Sequence, residues 1–158
     1  MAHTAPSHPA PDAAPTAPTF PVRLFVYGSL KQGFPNAHVN TGRRIEGAYR
    51  TDAAFPMLLL GDGRVPCLLH DPGHGHPVEG ELYEVDAAGL AAMDRLERLG
   101  ERGGYQRLRI RVVRSDAPAE PPVEAHAYLK DPHEIPPSLR REGPFAVYTL
   151  AQSRHLFW

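Results

Sequence analysis

The chain has 158 residues, is 42% hydrophobic and 22% charged, and carries a formal net charge of −1. That length supports one domain with a proper core. So neutral a balance offers no field for gathering phosphate backbones or anionic lipid, which argues against nucleic acid and membrane surfaces as partners and leaves small neutral or zwitterionic molecules.

Residues 1–21 hold six prolines and six alanines with almost nothing large to bury. Burial there cannot offset the entropy of ordering the chain, so a disordered leader is expected, followed by one functional domain over residues 22–158. The N-terminus lacks the basic-then-apolar layout of a signal peptide, and no apolar run approaches the roughly 18 residues of a membrane helix. Together with the single cysteine, Cys67, which can form no intrachain disulfide, this points to a reducing cytoplasm.

A first strand is expected over 22–27, where Leu24-Phe25-Val26-Tyr27 forms a fully apolar run that stops at Gly28-Ser29-Leu30 with no hairpin signal behind it. On its own that break reads as a tight turn. Further strands are predicted over 44–51, 56–60 and 65–69. Cys67, flanked by Pro66 and two leucines, reads as a small buried hydrophobe rather than a nucleophile. The following loop, HDPGHGH, sets His70, His74 and His76 close together and raises zinc or nickel as a rival reading, although a good site also needs a fourth ligand and oriented partners behind the ligands.

The strand over 78–85 puts Glu79, Glu81 and Tyr83 on one face, where paired acids ordinarily meet solvent. A helix follows over 87–98, with Asp86 as N-cap and Gly100 placed for a left-handed residue at its end. At about 100° per residue, Leu90, Met93 and Leu96 form its core stripe, and Glu97 falls between Leu90 and Met93. A carboxyl there is partly buried and sits at the helix end whose dipole disfavours negative charge, so its pKa is expected above the ordinary value. The competing reading has the helix rotated or shorter, with Glu97 merely paired to an arginine such as Arg107.

Over 106–114 the apolar Leu108, Ile110 and Val112 alternate with Arg107, Arg109 and Arg111, which reads as one buried and one solvated face. A last strand is predicted over 123–129, a proline- and charge-rich loop over 130–145, and a tail, FAVYTLAQSRHLFW, whose aromatics should dock on the domain. Many short strands with few helices give an α+β class: a small mixed or antiparallel β-barrel with flanking helices.

Three stretches together, VYGSLKQGFPN, VEGELYEVDAAGLAAMDRLE and YQRLRIRV, resemble the γ-glutamylcyclotransferase-like proteins, most closely their γ-glutamylamine cyclotransferase branch. The likeness runs from about residue 23 to 129. It implies a compact mixed β-barrel, substrate-facing backbone amides at Tyr27, Gly28, Ser29 and Leu30, and a general acid/base at Glu97. A strand that stops at glycine releases amides from the ladder, and a concave set of them holds an anion without lysine or arginine. Tyr105 is a further, substrate-binding candidate. Two departures bear on the cleft wall: Arg98 stands where glycine often follows the glutamate, and RLGERGG is longer than expected.

The resemblance implies conversion of a small γ-glutamyl amine or γ-glutamyl amino acid to 5-oxoproline and a free amine, with no cofactor and no metal. Intramolecular ring closure also accords with the lack of a G-x-S-x-G elbow, a P-loop or a dinucleotide fingerprint. The alternative is a module that binds such a ligand without turning it over.

Overall fold

The computed structural model describes residues 19–156. Of the expected leader, residues 1–18 lie outside that range, as do Phe157 and Trp158 of the tail. Nine strands form one sheet: β1 (Val22–Val26), β2 (Arg43–Arg44), β3 (Tyr49–Thr51), β4 (Met57–Leu60), β5 (Val65–Leu69), β6 (Glu79–Val85), β7 (Gln106–Arg114), β8 (Val123–Lys130) and β9 (Arg141–Glu142). Two helices accompany them, α1 (Ala87–Leu96) and α2 (Leu150–Ser153).

The neighbour order β1-β6-β3-β7-β8 closes on itself, because β1 also pairs in parallel with β8 at Leu24 and His126. The result is the small mixed barrel expected, with β5, β4 and β9 running outward from β8. Alternation along β1 explains why its run is apolar throughout. Phe25 and Tyr27 join one core cluster with Leu82, Val112, Ala127 and Tyr148, whereas Leu24 and Val26 join another with Leu90 and Met93 of α1.

β8 also explains the break after Tyr27. Its outer edge is taken by β1 near His126 and then by β5, where Leu68 and Leu69 pair with Leu129 and Lys130. Once β5 holds that edge, residues 28–30 have no strand to pair with.

Four expectations need correction. The segment 44–51 is two strands: Arg44 opposes Tyr83 and Tyr49 opposes Gly80, so two extra residues are accommodated between them, with Gly47 at φ 121°. Residues 130–145 are not all loop, since β9 pairs with β4. α1 ends at Leu96 and is closed by Arg98, left-handed at φ 55°, while Gly100 two positions on is left-handed as expected, at φ 79°. The amides of Arg98 and Leu99 cap Arg95 and Asp94, a Schellman closure that usually takes glycine. Finally, the arginine row is not uniformly solvated: Arg109 and Arg111 are exposed, but Arg107 is drawn onto α1.

The capping of α1 by Asp86 holds, its side chain accepting from the Gly89 amide at 2.8 Å. The described part of the tail docks as expected, with Tyr148 fully buried. Among the described residues no helix is long and apolar enough to cross a membrane.

Candidate active site

Glu97 sits immediately after the last turn of α1, on the face that Leu90 and Met93 bury. It is 9% exposed. No side-chain or backbone group of the described residues hydrogen-bonds to its carboxylate. Burial pushes its pKa up to about 7, against an opposing pull from the Lys130 ammonium. Arg107, the alternative partner, is engaged elsewhere: its Nε and Nη2 donate to the two carboxylate oxygens of Asp94 at 3.0 and 3.3 Å. The Tyr128 hydroxyl adds a third bond to Asp94 at 2.6 Å. This brace fixes the last turn of α1 against β7 and β8, one turn before Glu97.

The loop after β1 faces the same space. Tyr27, Gly28, Ser29 and Leu30 line, with Glu97 and Tyr105, a single cleft. All six residues singled out from the sequence therefore meet in one place. Within the loop, the Gly28 carbonyl accepts from Lys31 N at 3.1 Å and the Ser29 carbonyl from Asn36 N at 2.9 Å, while the N–H groups of Gly28, Ser29 and Leu30 meet no acceptor among the described residues. The loop is held firmly, with Asn36 Nδ2 donating to Ser29 Oγ at 2.8 Å. Glycine is required at 28, where a Cβ would come within 2.9 Å of Pro66 Cγ.

Two tyrosines frame the cleft from within the core. The Tyr27 hydroxyl donates to the Tyr128 carbonyl at 2.7 Å and accepts from Leu68 N at 3.1 Å. Tyr105 donates to the Pro66 carbonyl at 2.6 Å, and its amide closes onto the Glu97 carbonyl at 3.0 Å. Burial raises both phenols well above their ordinary range, so they stay neutral hydrogen-bonding struts.

The sequence reading did not mark Val65, Pro66 and Tyr128, which also line the cleft. Proline inside a strand marks an edge, so Pro66 carried a usable signal. Tyr128 carried none, since its alternating strand gives no hint of what lies across it.

The competing candidates separate. Glu81 accepts from Gln32 N and from the Tyr83 hydroxyl, both at 2.8 Å, and so braces the far end of the loop, while Glu79 is exposed. Cys67 is fully buried and burial pushes its thiol up to about 12, as suits a packed hydrophobe. His70, His74 and His76 are exposed, and among the described residues no three histidine, cysteine or acidic side chains converge to hold a metal.

The arrangement is chemically specific: one proton-labile carboxyl and a set of free amides share a cleft whose lining includes no lysine or arginine. Comparison with known proteins identifies the family of the chain. Residues 24–145 match the family described as gamma-glutamyl cyclotransferase, AIG2-like. The Homo sapiens gamma-glutamylaminecyclotransferase is 40% identical over 111 residues, covering 63% of this chain and 70% of the human one. The Danio rerio gamma-glutamylaminecyclotransferase A is 29% identical over 138 residues, covering 83% and 81%. Among solved structures, a Mus musculus AIG2-like protein superposes with a TM-score of 0.65 at 32% identity, covering 75% of this chain and 82% of that one. The chain belongs to the AIG2-like gamma-glutamyl cyclotransferase family.

Proposed function

We infer that the protein is a cyclotransferase that converts a γ-glutamyl amine or γ-glutamyl amino acid into 5-oxoproline and a free amine, with Glu97 as general acid and base. The observation that carries this reading is the meeting of a buried, unpartnered carboxyl with the free amides of the loop in one cleft.

The substrate brings its own nucleophile. Its α-carboxylate rests on the amides of Gly28, Ser29 and Leu30, which turns the α-amine toward the γ-carbonyl and removes orientational entropy from ring closure. Glu97, ionised, takes a proton from the α-amino group as the nitrogen attacks the γ-carbon. The tetrahedral centre then collapses with cleavage of the γ-carbon–nitrogen bond, and Glu97 returns the proton to the departing nitrogen. A carboxyl titrating at about 7 is matched to both halves of that task at neutral pH. Tyr27 and Tyr105 hold the walls without titrating.

Membership of a family of cyclotransferases supports turnover over a module that only binds. The single cysteine and the near-neutral charge fit a cytoplasmic enzyme acting on a small molecule. The test is incubation with a panel of γ-glutamyl amines and γ-glutamyl amino acids, reading 5-oxoproline by mass spectrometry. The wild-type protein should release it, and Glu97→Gln should be slower by about 10²-fold or more while remaining folded. Near-wild-type release by Glu97→Gln would remove Glu97 from the mechanism.

A further inference from the structure

A second cavity adjoins the first. Val65, Glu97 and Tyr105 line both, so Glu97 stands between an inner cleft and an outer groove. If the γ-glutamyl group fills the inner cleft, whatever hangs from its amide nitrogen passes Glu97 and lies in the groove.

The walls of the groove are selective. Leu60, Leu96 and Leu139 supply apolar surface, and Leu139 is 37% exposed, an apolar side chain on the open wall. The groove's best-placed charge is Lys130, at the end of β8. Its Nζ donates to the Gly103 carbonyl at 2.9 Å and stands 4.6 Å from the centre of the Tyr105 ring. No carboxylate among the described residues pairs with it. An ammonium held only by a carbonyl and a ring face still has N–H donors to offer a ligand anion. The other charges are weaker claims: Arg98 is 61% exposed and directed to Glu101 at 3.6 Å, and Asp62 is exposed on the turn between β4 and β5, where solvent screens it.

Resting on the cyclotransferase reading, we propose that this groove holds the leaving group and selects an apolar α-amino acid, its carboxylate on Lys130 and its side chain against Leu60, Leu96 and Leu139. Ring closure breaks the bond between the γ-carbon and the amino acid's nitrogen, the proton lost by the attacking amine passes through Glu97 to that nitrogen, and the free amino acid departs through the open side of the groove. Lys130 is thus a specificity residue and takes no part in the bond changes.

The experiment compares γ-glutamyl-leucine with γ-glutamyl-isopentylamine, which differs only in lacking the carboxylate, and with γ-glutamyl-cadaverine, a linear chain that lacks the carboxylate and carries a cation at its far end. The readout is the ratio of kcat/KM values within each protein, which cancels any influence of Lys130 on Glu97 common to all three substrates. Wild type should favour γ-glutamyl-leucine over the isopentylamine compound by roughly tenfold or more, as a charge-assisted contact gives. Lys130→Met should bring that ratio toward one, and Lys130→Arg should keep most of it. A wild-type ratio near one, a preference for the cadaverine compound, or a ratio unchanged in Lys130→Met overturns the proposal while the cyclotransferase reading stands. The wild-type ratios decide the matter even if Lys130→Met fails to fold. Absence of 5-oxoproline from all three substrates sinks the cyclotransferase reading, and the proposal falls with it.

Discussion

Glu97 places stability and chemistry in opposition. A carboxyl whose folded-state pKa is raised binds its proton more tightly folded than unfolded, so between the ordinary value of 4.5 and about 7 the folded state loses stability as pH rises. Below that window the two states are equally protonated and nothing is lost. Above it the destabilisation amounts to about 3 kcal/mol at most. Glu97→Gln removes the ionisable group and therefore should melt a few degrees above wild type at pH 8, with the gap closing near pH 4.5, as thermal scans across pH would show. Proton acceptance requires the ionised form, so wild-type kcat/KM should rise with pH through about 7. A residue that only packed would give the same melting behaviour without that limb in the rate profile.

Position of the carboxyl depends on an element contact rather than on Glu97 itself. α1 is ten residues long and closes through Arg98 in a left-handed conformation that costs a non-glycine residue about 1 kcal/mol. Its last turn is held by Asp94, which gathers Arg107 from β7 and Tyr128 from β8. Asp94 and Arg107 are 21% and 19% exposed, sheltered enough for removal of one partner to leave the other desolvated. Asp94→Ala should cost about 2 kcal/mol in urea denaturation. It should also lower kcat roughly tenfold, because a displacement of the helix end moves the carboxyl from the bond it serves. An unchanged kcat in a destabilised Asp94→Ala would limit the brace to a folding role.

At the scale of the whole molecule, the loop that supplies the amides is tied to a segment more than a hundred positions away. Lys31 Nζ donates to the Tyr148 carbonyl at 2.6 Å and lies 4.3 Å from the Phe34 ring centre, and Phe34 in turn packs on Tyr148 at 5.7 Å. The C-terminal segment crosses back over the sheet, with Phe145 N donating to Met57 O and Ala146 O accepting from Glu79 N. Tyr148 fills the barrel's interior cluster with no exposure. Tyr148→Ala should therefore cost about 4 kcal/mol. If the variant still folds, KM should rise more than kcat falls, because the site loses the support of its anion loop while Glu97 keeps its place. Equal effects on both constants would show that the tail matters only to stability.

Local pattern determined much of this protein. An unbroken apolar run located β1, alternation located β6 and β7, the Asp86 cap and the leucine–methionine stripe located α1, and that same stripe put Glu97 on a buried face. Those signals depend on neighbours within a few positions, which is why a single sequence carries them. The break after Tyr27 was visible as a sequence event, but its cause was not: β8 passes its edge from β1 to β5, through contacts between residues about a hundred and about sixty positions apart. For the same reason Arg107 looked like one of three solvated arginines until the fold brought Asp94 beside it, and Tyr128 and Lys130 joined the cleft and its groove without any local mark. Periodicity states which side of an element is dry; only closure of the barrel decides which other element lies against that side, and so which charges and amides share a cavity.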